Sequence, residues 1–128
     1  MATVGREVLG SKRAFKRAVV NVPEWGGDVH IRELTAIEVA RAQQIAASAV
    51  DVASRKVIDV TALARFQAAM IVAGWVDENG ANELTDADID GVLEQPSKVV
   101  ALLSQEIAHL SGIELAEGVD ALVAAKNG

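Results

Sequence analysis

Apolar and polar residues alternate at Ala18, Val20 and Val22 and again at Val29 and Ile31, on either side of a Gly26-Gly27 bend. A period of two flanking a glycine pair predicts a β-hairpin over residues 17–34. Pro23 lacks a backbone donor and suits a strand end. Gly26 and Gly27 are both expected to supply the positive φ of a tight reversal. Thr35-Ala36-Ile37-Glu38 then has the form of a capping box that opens a helix. Polar residues at Glu38, Arg41, Gln44, Ser48, Asp51 and Arg55 recur in steps of three and four and trace one stripe of that helix. The opposite stripe is Val39, Ala42, Ala46, Ala49, Val50 and Ala53.

A break at 55–59 precedes a second helix, with Asp59 as its N-cap. From Leu63 to Val76 the polar residues are Arg65 and Gln67, so this helix is apolar all round. That pattern predicts a central core element, or one partly covered by another chain, with Trp75 placed in the core. Asp77-Glu78-Asn79-Gly80 signals a turn. Thr85-Asp86-Ala87-Asp88 imitates a second capping box and opens a short helix that ends near Glu94, because Pro96 disfavours helix at Gln95. Pro96 suits the start of a further helix with Val99, Val100, Leu103, Ile107 and Leu110 as its apolar stripe, and Gly112 is a C-terminal stop. A final amphipathic segment uses Leu115, Val119 and Leu122. The expected fold is mainly α with a small N-terminal β-hairpin (α+β), its four to five helices packed as an irregular bundle. The expected organisation is a flexible basic arm over 1–16, a domain over 17–112 and a C-terminal amphipathic segment over 113–128.

The 128 residues suit a single domain. Apolar residues make up 51% of the chain but aromatics only 3%, so the core must be built from Ala, Val, Leu and Ile. Helices with such cores carry broad small-residue faces, part of which is left for partners. There is no cysteine, which removes disulfides and thiolate metal sites. No apolar run reaches the ~20 residues of a membrane span, and no apolar stretch follows the basic N-terminus as in a signal peptide. A soluble cytoplasmic protein is therefore expected.

The net charge of −6 is unevenly distributed: residues 1–17 carry +4 and residues 77–120 carry −10. This polarity permits head-to-tail self-association, or it is a solvated basic arm and a solvated acidic face. The acidic body argues against general nucleic-acid binding. A nucleic-acid arm over residues 6–17 would rest on Arg6, Lys12, Arg13, Lys16 and Arg17, with Phe15 as the only aromatic.

Candidate chemistry is sparse. Asp86, Asp88, Asp90 and Gly91 match the start of a calcium loop, but Ser97 stands where the bidentate glutamate belongs and Pro96 precedes it. An acidic helix start explains the same residues. His30 and His109 lie on different elements without partners at metal-ligand spacing. No nucleophile or phosphate-binding motif is found, so no enzyme, cofactor or metal is expected. Function is left to binding. Trp25, at the hairpin bend, is either an interface anchor or a cap over the core. The partner-binding ribbon is read as Pro23, Trp25, Gly26, Gly27, Val29 and Ile31. A two-stranded hairpin has open edges that invite strand addition, and it must pack on helices or a neighbour to be stable.

The run Val22-Pro23-Glu24-Trp25-Gly26-Gly27-Asp28-Val29-His30-Ile31-Arg32-Glu33-Leu34-Thr35 resembles the opening of tail assembly chaperones of long-tailed bacteriophages. The resemblance continues through Gly74-Trp75-Val76-Asp77-Glu78-Asn79-Gly80 and Leu84-Thr85-Asp86-Ala87-Asp88-Ile89 to Leu110-Ser111-Gly112. It implies a protein that coats the tape measure protein, keeps it soluble and helps recruit tail tube subunits. It also implies action in the host cell cytoplasm and absence from the mature virion; from the acidic charge and the lack of a spanning run, no nucleic-acid or membrane partner is expected. The alternative from another class is a structural head–tail or tube-associated virion protein. A third is a small helical regulator that binds nucleic acid through residues 6–17.

Overall fold

The computed structural model describes residues 3, 5–10, 15–51 and 53–113. A 3-10 turn over Arg6–Gly10 is followed by strands β1 (Arg17–Val22) and β2 (Gly27–Arg32), joined through a 3-10 turn at Pro23–Trp25. Helix α1 (Ala36–Ala47) leads to a two-stranded ribbon, β3 (Val50–Asp51) and β4 (Lys56–Val57). Helix α2 (Val60–Gly74) runs into β5 (Trp75–Val76). A 3-10 turn at Asp86–Asp88 precedes α3 (Ile89–Leu93), and α4 (Ser97–Leu110) closes the described chain. The result is the expected α+β fold, with four helices among the described residues.

The hairpin is not left two-stranded. The β5 strand adds antiparallel to β2, pairing Ile31 with Trp75 and His30 with Val76, so the sheet order is β1-β2-β5. The apolar run that predicts helix to Val76 therefore ends as helix at Gly74. The free edge of β2 recruits Trp75 and Val76, whose aromatic and β-branched side chains suit a pleated surface. In the turn, Gly26 adopts φ 70°. Gly27 is instead the first residue of β2 without a positive φ, so one left-handed residue after the proline-led turn suffices for the reversal.

Thr35 and Glu38 form the expected capping box, each bonding the other's backbone N–H. The helix they open stops at Ala47, short of the expected Arg55. The Asp51 carboxylate accepts from the Ala53 N–H at 3.1 Å and the Ser54 hydroxyl at 2.9 Å. Such local bonds offer the backbone a turn in place of helix, and Arg55 completes that turn at φ 56°. Asp59 caps α2 as expected, accepting from the Thr61 and Ala62 N–H groups.

Helix α2 is the centre of the fold and packs on α1, α3 and α4, while α4 backs the sheet. Val20, Val22, Val29 and Ile31 from the sheet meet Ala68, Met70, Ile71 and Val72 from α2 and Val99, Leu103 and Ile107 from α4. This is the aliphatic core that the scarcity of aromatics predicts. At Gly74 an added Cβ would lie 2.9 Å from the fully buried Ile107, so glycine sets the close approach of α2 to α4.

A polar clamp joins sheet, helix and loop. Arg32 is 6% exposed, and its guanidinium donates to both Glu38 oxygens at 2.9 Å, to the Glu33 carbonyl at 2.8 Å and to Asn82 Oδ1 at 3.3 Å. Phe15 lies against it, 5.1 Å from ring centre to guanidinium carbon. Burial pushes the Glu38 carboxyl up, but the Arg32 hydrogen bonds, the Thr35 N–H and the Arg32 charge together outweigh burial and hold it below its ordinary value. Asp77 organises the turn after β5, accepting from the Asn79 and Ala81 N–H groups, with Gly80 at φ 90°. The expected C-terminal stop holds, with Gly112 at φ 73°. Lys12, Arg13 and the segment of Leu115, Val119 and Leu122 lie outside the described residues.

Candidate functional site

The bend of the β1–β2 ribbon carries Trp25 back over the sheet. Pro23 starts the turn, and Gly26 reverses the chain immediately after the indole. Trp75 stands opposite Ile31 on β5. The two indoles stack with centroids 5.3 Å apart and planes 19° from parallel. Offset pairs of this kind contribute ~0.5–1.5 kcal/mol beyond the area they bury. The Trp25 Nε1–H donates to Gln95 Oε1 at 3.1 Å, which ties the ribbon tip to the α3–α4 corner. Lys98 reaches Glu24 at 3.6 Å across the same junction, although the lysine is largely exposed. Trp25 thus caps the half-buried Trp75 while leaving 36% of its own surface to solvent.

Of the other ribbon residues, Pro23, Gly26 and Gly27 are exposed. Val29 and Ile31 are 4% and 0% exposed, enclosed in the core, and act on the outer face only by holding the ribbon in place. His30 is half-buried on the opposite face of the sheet, and His109 is exposed on α4. Asp86, Asp88 and Asp90 are exposed, and the Asp88 carboxylate is engaged by the Thr85 N–H at 2.8 Å. Among the described residues no group of three or more His, Cys, Asp or Glu is placed to hold a metal ion.

A hollow of about 300 Å³ opens beside the indole pair, walled by Trp25, Trp75, Leu84, Asp88, Gly91, Val92 and Gln95. A larger groove of about 710 Å³ lies between α1, α2 and the 82–89 segment. Its floor and walls include Ala69, Val72, Ala73, Ile45, Leu84 and Ile89, with Arg41, Thr85 and Asp86 at its margin. Leu84 lines both depressions, so they adjoin as one surface. The Arg32 clamp holds Asn82 two residues before Leu84, which fixes this loop against the sheet.

Ala69 and Ala73 admit close approach by another helix, while Leu84, Ile89 and the indoles offer contact area. Together they form aliphatic and aromatic area with carboxylates beside it. The bend of the ribbon was legible in the sequence, but Trp75, Leu84, Val92 and Gln95 as its companions were not. They come from β5, the loop that follows it, α3 and the turn after α3, and no spacing within the chain announces their meeting.

A family model described as phage tail assembly chaperone matches residues 5–126. Among solved structures, that of the bacteriophage HK97 tail assembly chaperone superposes with a TM-score of 0.58 at 21% identity, covering 75% of this chain and 85% of that one. At this identity the likeness is one of fold. No curated protein matches the sequence.

Proposed function

The chain belongs to the phage tail assembly chaperone family, and from that premise we propose that it binds the tape measure protein and keeps it soluble during tail morphogenesis. It also helps to bring tail tube subunits to that complex. It acts in the host cell cytoplasm and leaves before the virion is complete. The family and the fold both point to a role without catalysis.

The observation that carries this reading is the surface formed by the stacked tryptophans, Leu84 and the α1–α2 groove. A length-setting client that is largely helical exposes apolar stripes until the tube encloses it. A groove floored by alanines and edged by an aromatic anchor receives such a stripe in helix-in-groove fashion. No helix among the described residues is long and apolar enough to cross a membrane.

The test is co-expression with the tape measure protein of the same phage. The expected result is more soluble tape measure protein, which co-purifies with this chain, and a clear loss of both effects in a Trp25→Ala variant that retains its far-ultraviolet circular dichroism. Unchanged aggregation of the client in the presence of the native chain would refute the proposal. Recovery of the chain in purified mature particles would favour a structural virion component instead.

A further inference from the structure

Between residues 77 and 94 the chain carries seven carboxylates and no lysine or arginine. Asp86, Asp90 and Glu94 from this stretch are exposed along the 3-10 turn, α3 and its C-terminal end. The same segment supplies Leu84, Asp88, Gly91 and Val92 to the hollow beside the indoles, and Gln95 follows directly. Asp86 lines the groove and Asp88 the hollow, so negative charge stands on this side of the apolar surface, with Asp90 on α3 and Glu94 at its end exposed beyond the lining. On the opposite wall Arg41, from α1, is the one cation among the described lining residues.

We propose that this face selects its client segments by charge, taking cationic amphipathic helices whose lysines or arginines flank an aliphatic stripe. This rests on the reading of the face as the client site. The stripe lies on Ala69, Ala73 and Leu84. The flanking cations on one side meet Asp86, Asp90 and Glu94, and a lysine stem or guanidinium packs on the open face of Trp25, where a cation gains from the ring quadrupole. Rim charges of this kind set specificity and encounter rate more than total affinity. An anionic helix would place its carboxylates against the same border and be rejected.

The test uses the full chain and three synthetic helical peptides that share a leucine–alanine stripe and carry lysine, glutamine or glutamate at the flanking positions. Binding is read by tryptophan fluorescence and calorimetry. Three rim pairs, each worth a factor of a few, should make the lysine peptide bind on the order of tenfold tighter than the glutamine peptide. That advantage should collapse between about 0.1 M and about 1 M salt, as the screening length falls from ~10 Å to ~3 Å. A combined Asp86→Lys, Asp90→Lys, Glu94→Lys variant should prefer the glutamate peptide, and Arg41→Glu should strengthen binding of the lysine peptide.

Equal affinity for lysine and glutamate peptides overturns the charge selection. So does failure to bind any of the three by a chain that still solubilises the tape measure protein. In either case the reading of the face as a client site is left to its own test, and failure to bind the tape measure protein at all is what refutes that reading. Sedimentation showing that the same charge reversals change self-association and leave peptide binding untouched would assign the face to a second copy and overturn the proposal.

Discussion

Replacing Arg32 by methionine keeps most of the side-chain stem but removes the guanidinium that pairs with Glu38 and lies over Phe15. In the native protein the Arg32 and Glu38 side chains are 8% and 18% exposed, and they meet at 2.9 Å. Removing one partner of a buried pair costs ~3–5 kcal/mol. The partial exposure of Glu38 lowers this to about 2–3 kcal/mol, because water still reaches the orphaned carboxylate. For a chain of this size ~1 kcal/mol moves the thermal midpoint by about 3–5 °C, so the variant should melt about 6–15 °C lower.

The loss should depend on pH. Glu38 in the native fold lies below its ordinary value of 4.5, so its contribution is complete above that value and disappears as pH falls through the folded pKa. In Arg32→Met burial still pushes the carboxyl up, and with the Arg32 hydrogen bonds and charge gone only the Thr35 hydrogen bonds oppose it, so the carboxyl rises above its native position. The variant is then relieved as Glu38 protonates. The gap between native and variant should be widest at about pH 7 and narrow toward about pH 4. Urea unfolding followed by circular dichroism at several pH values measures it. A gap below ~0.5 kcal/mol, within the range of a median surface pair, or one that stays constant across this range, would refute the clamp as a stabilising element.

Two further substitutions probe the packing that supports the face. Gly74→Ala should destabilise by ~1–3 kcal/mol through overpacking against Ile107, outweighing the ~1 kcal/mol that alanine gains in helix propensity; an unchanged or raised urea midpoint would contradict it. Trp25→Ala should abolish the near-ultraviolet circular dichroism of the coupled indoles and cost about 0.5–1.5 kcal/mol of stacking in addition to buried area, with helix content unchanged; a near-ultraviolet spectrum that survives would show that the rings do not stack in solution.

Local chemistry was readable from residues that neighbour one another in sequence. The Thr35–Glu38 box, the Asp59 cap, the Asp77–Gly80 turn and the Gly112 stop each need only three or four residues, and each stands where its residues predict. The hairpin was legible because its period of two buries Val20, Val22, Val29 and Ile31 together. What the sequence concealed is contact across distance. The third strand depends on the open edge of β2, and the strand preference of two residues at the end of an apolar helical run is too short a signal to declare it. Arg32 reads as a surface residue on an alternating strand until Glu38, Asn82 and Phe15 close on it. The polar spacing of Ser48, Asp51 and Arg55 continued a helical stripe, yet the Asp51 side chain had a closer use for the backbone as a turn. The stacked tryptophans are the same case: the ribbon showed Trp25 at a bend, and only the fold supplies its partner.

The central claim is that the client lies across the tryptophan pair, Leu84 and the α1–α2 groove. Hydrogen exchange on the complex with tape measure protein, compared with the free chain, tests it most directly. Protection gained over residues 23–27, 69–76 and 82–95 is the predicted result. Protection confined to exposed apolar residues elsewhere, such as Ile58 and Val60 beside the β3–β4 ribbon, Val19 or Ile37, would contradict it.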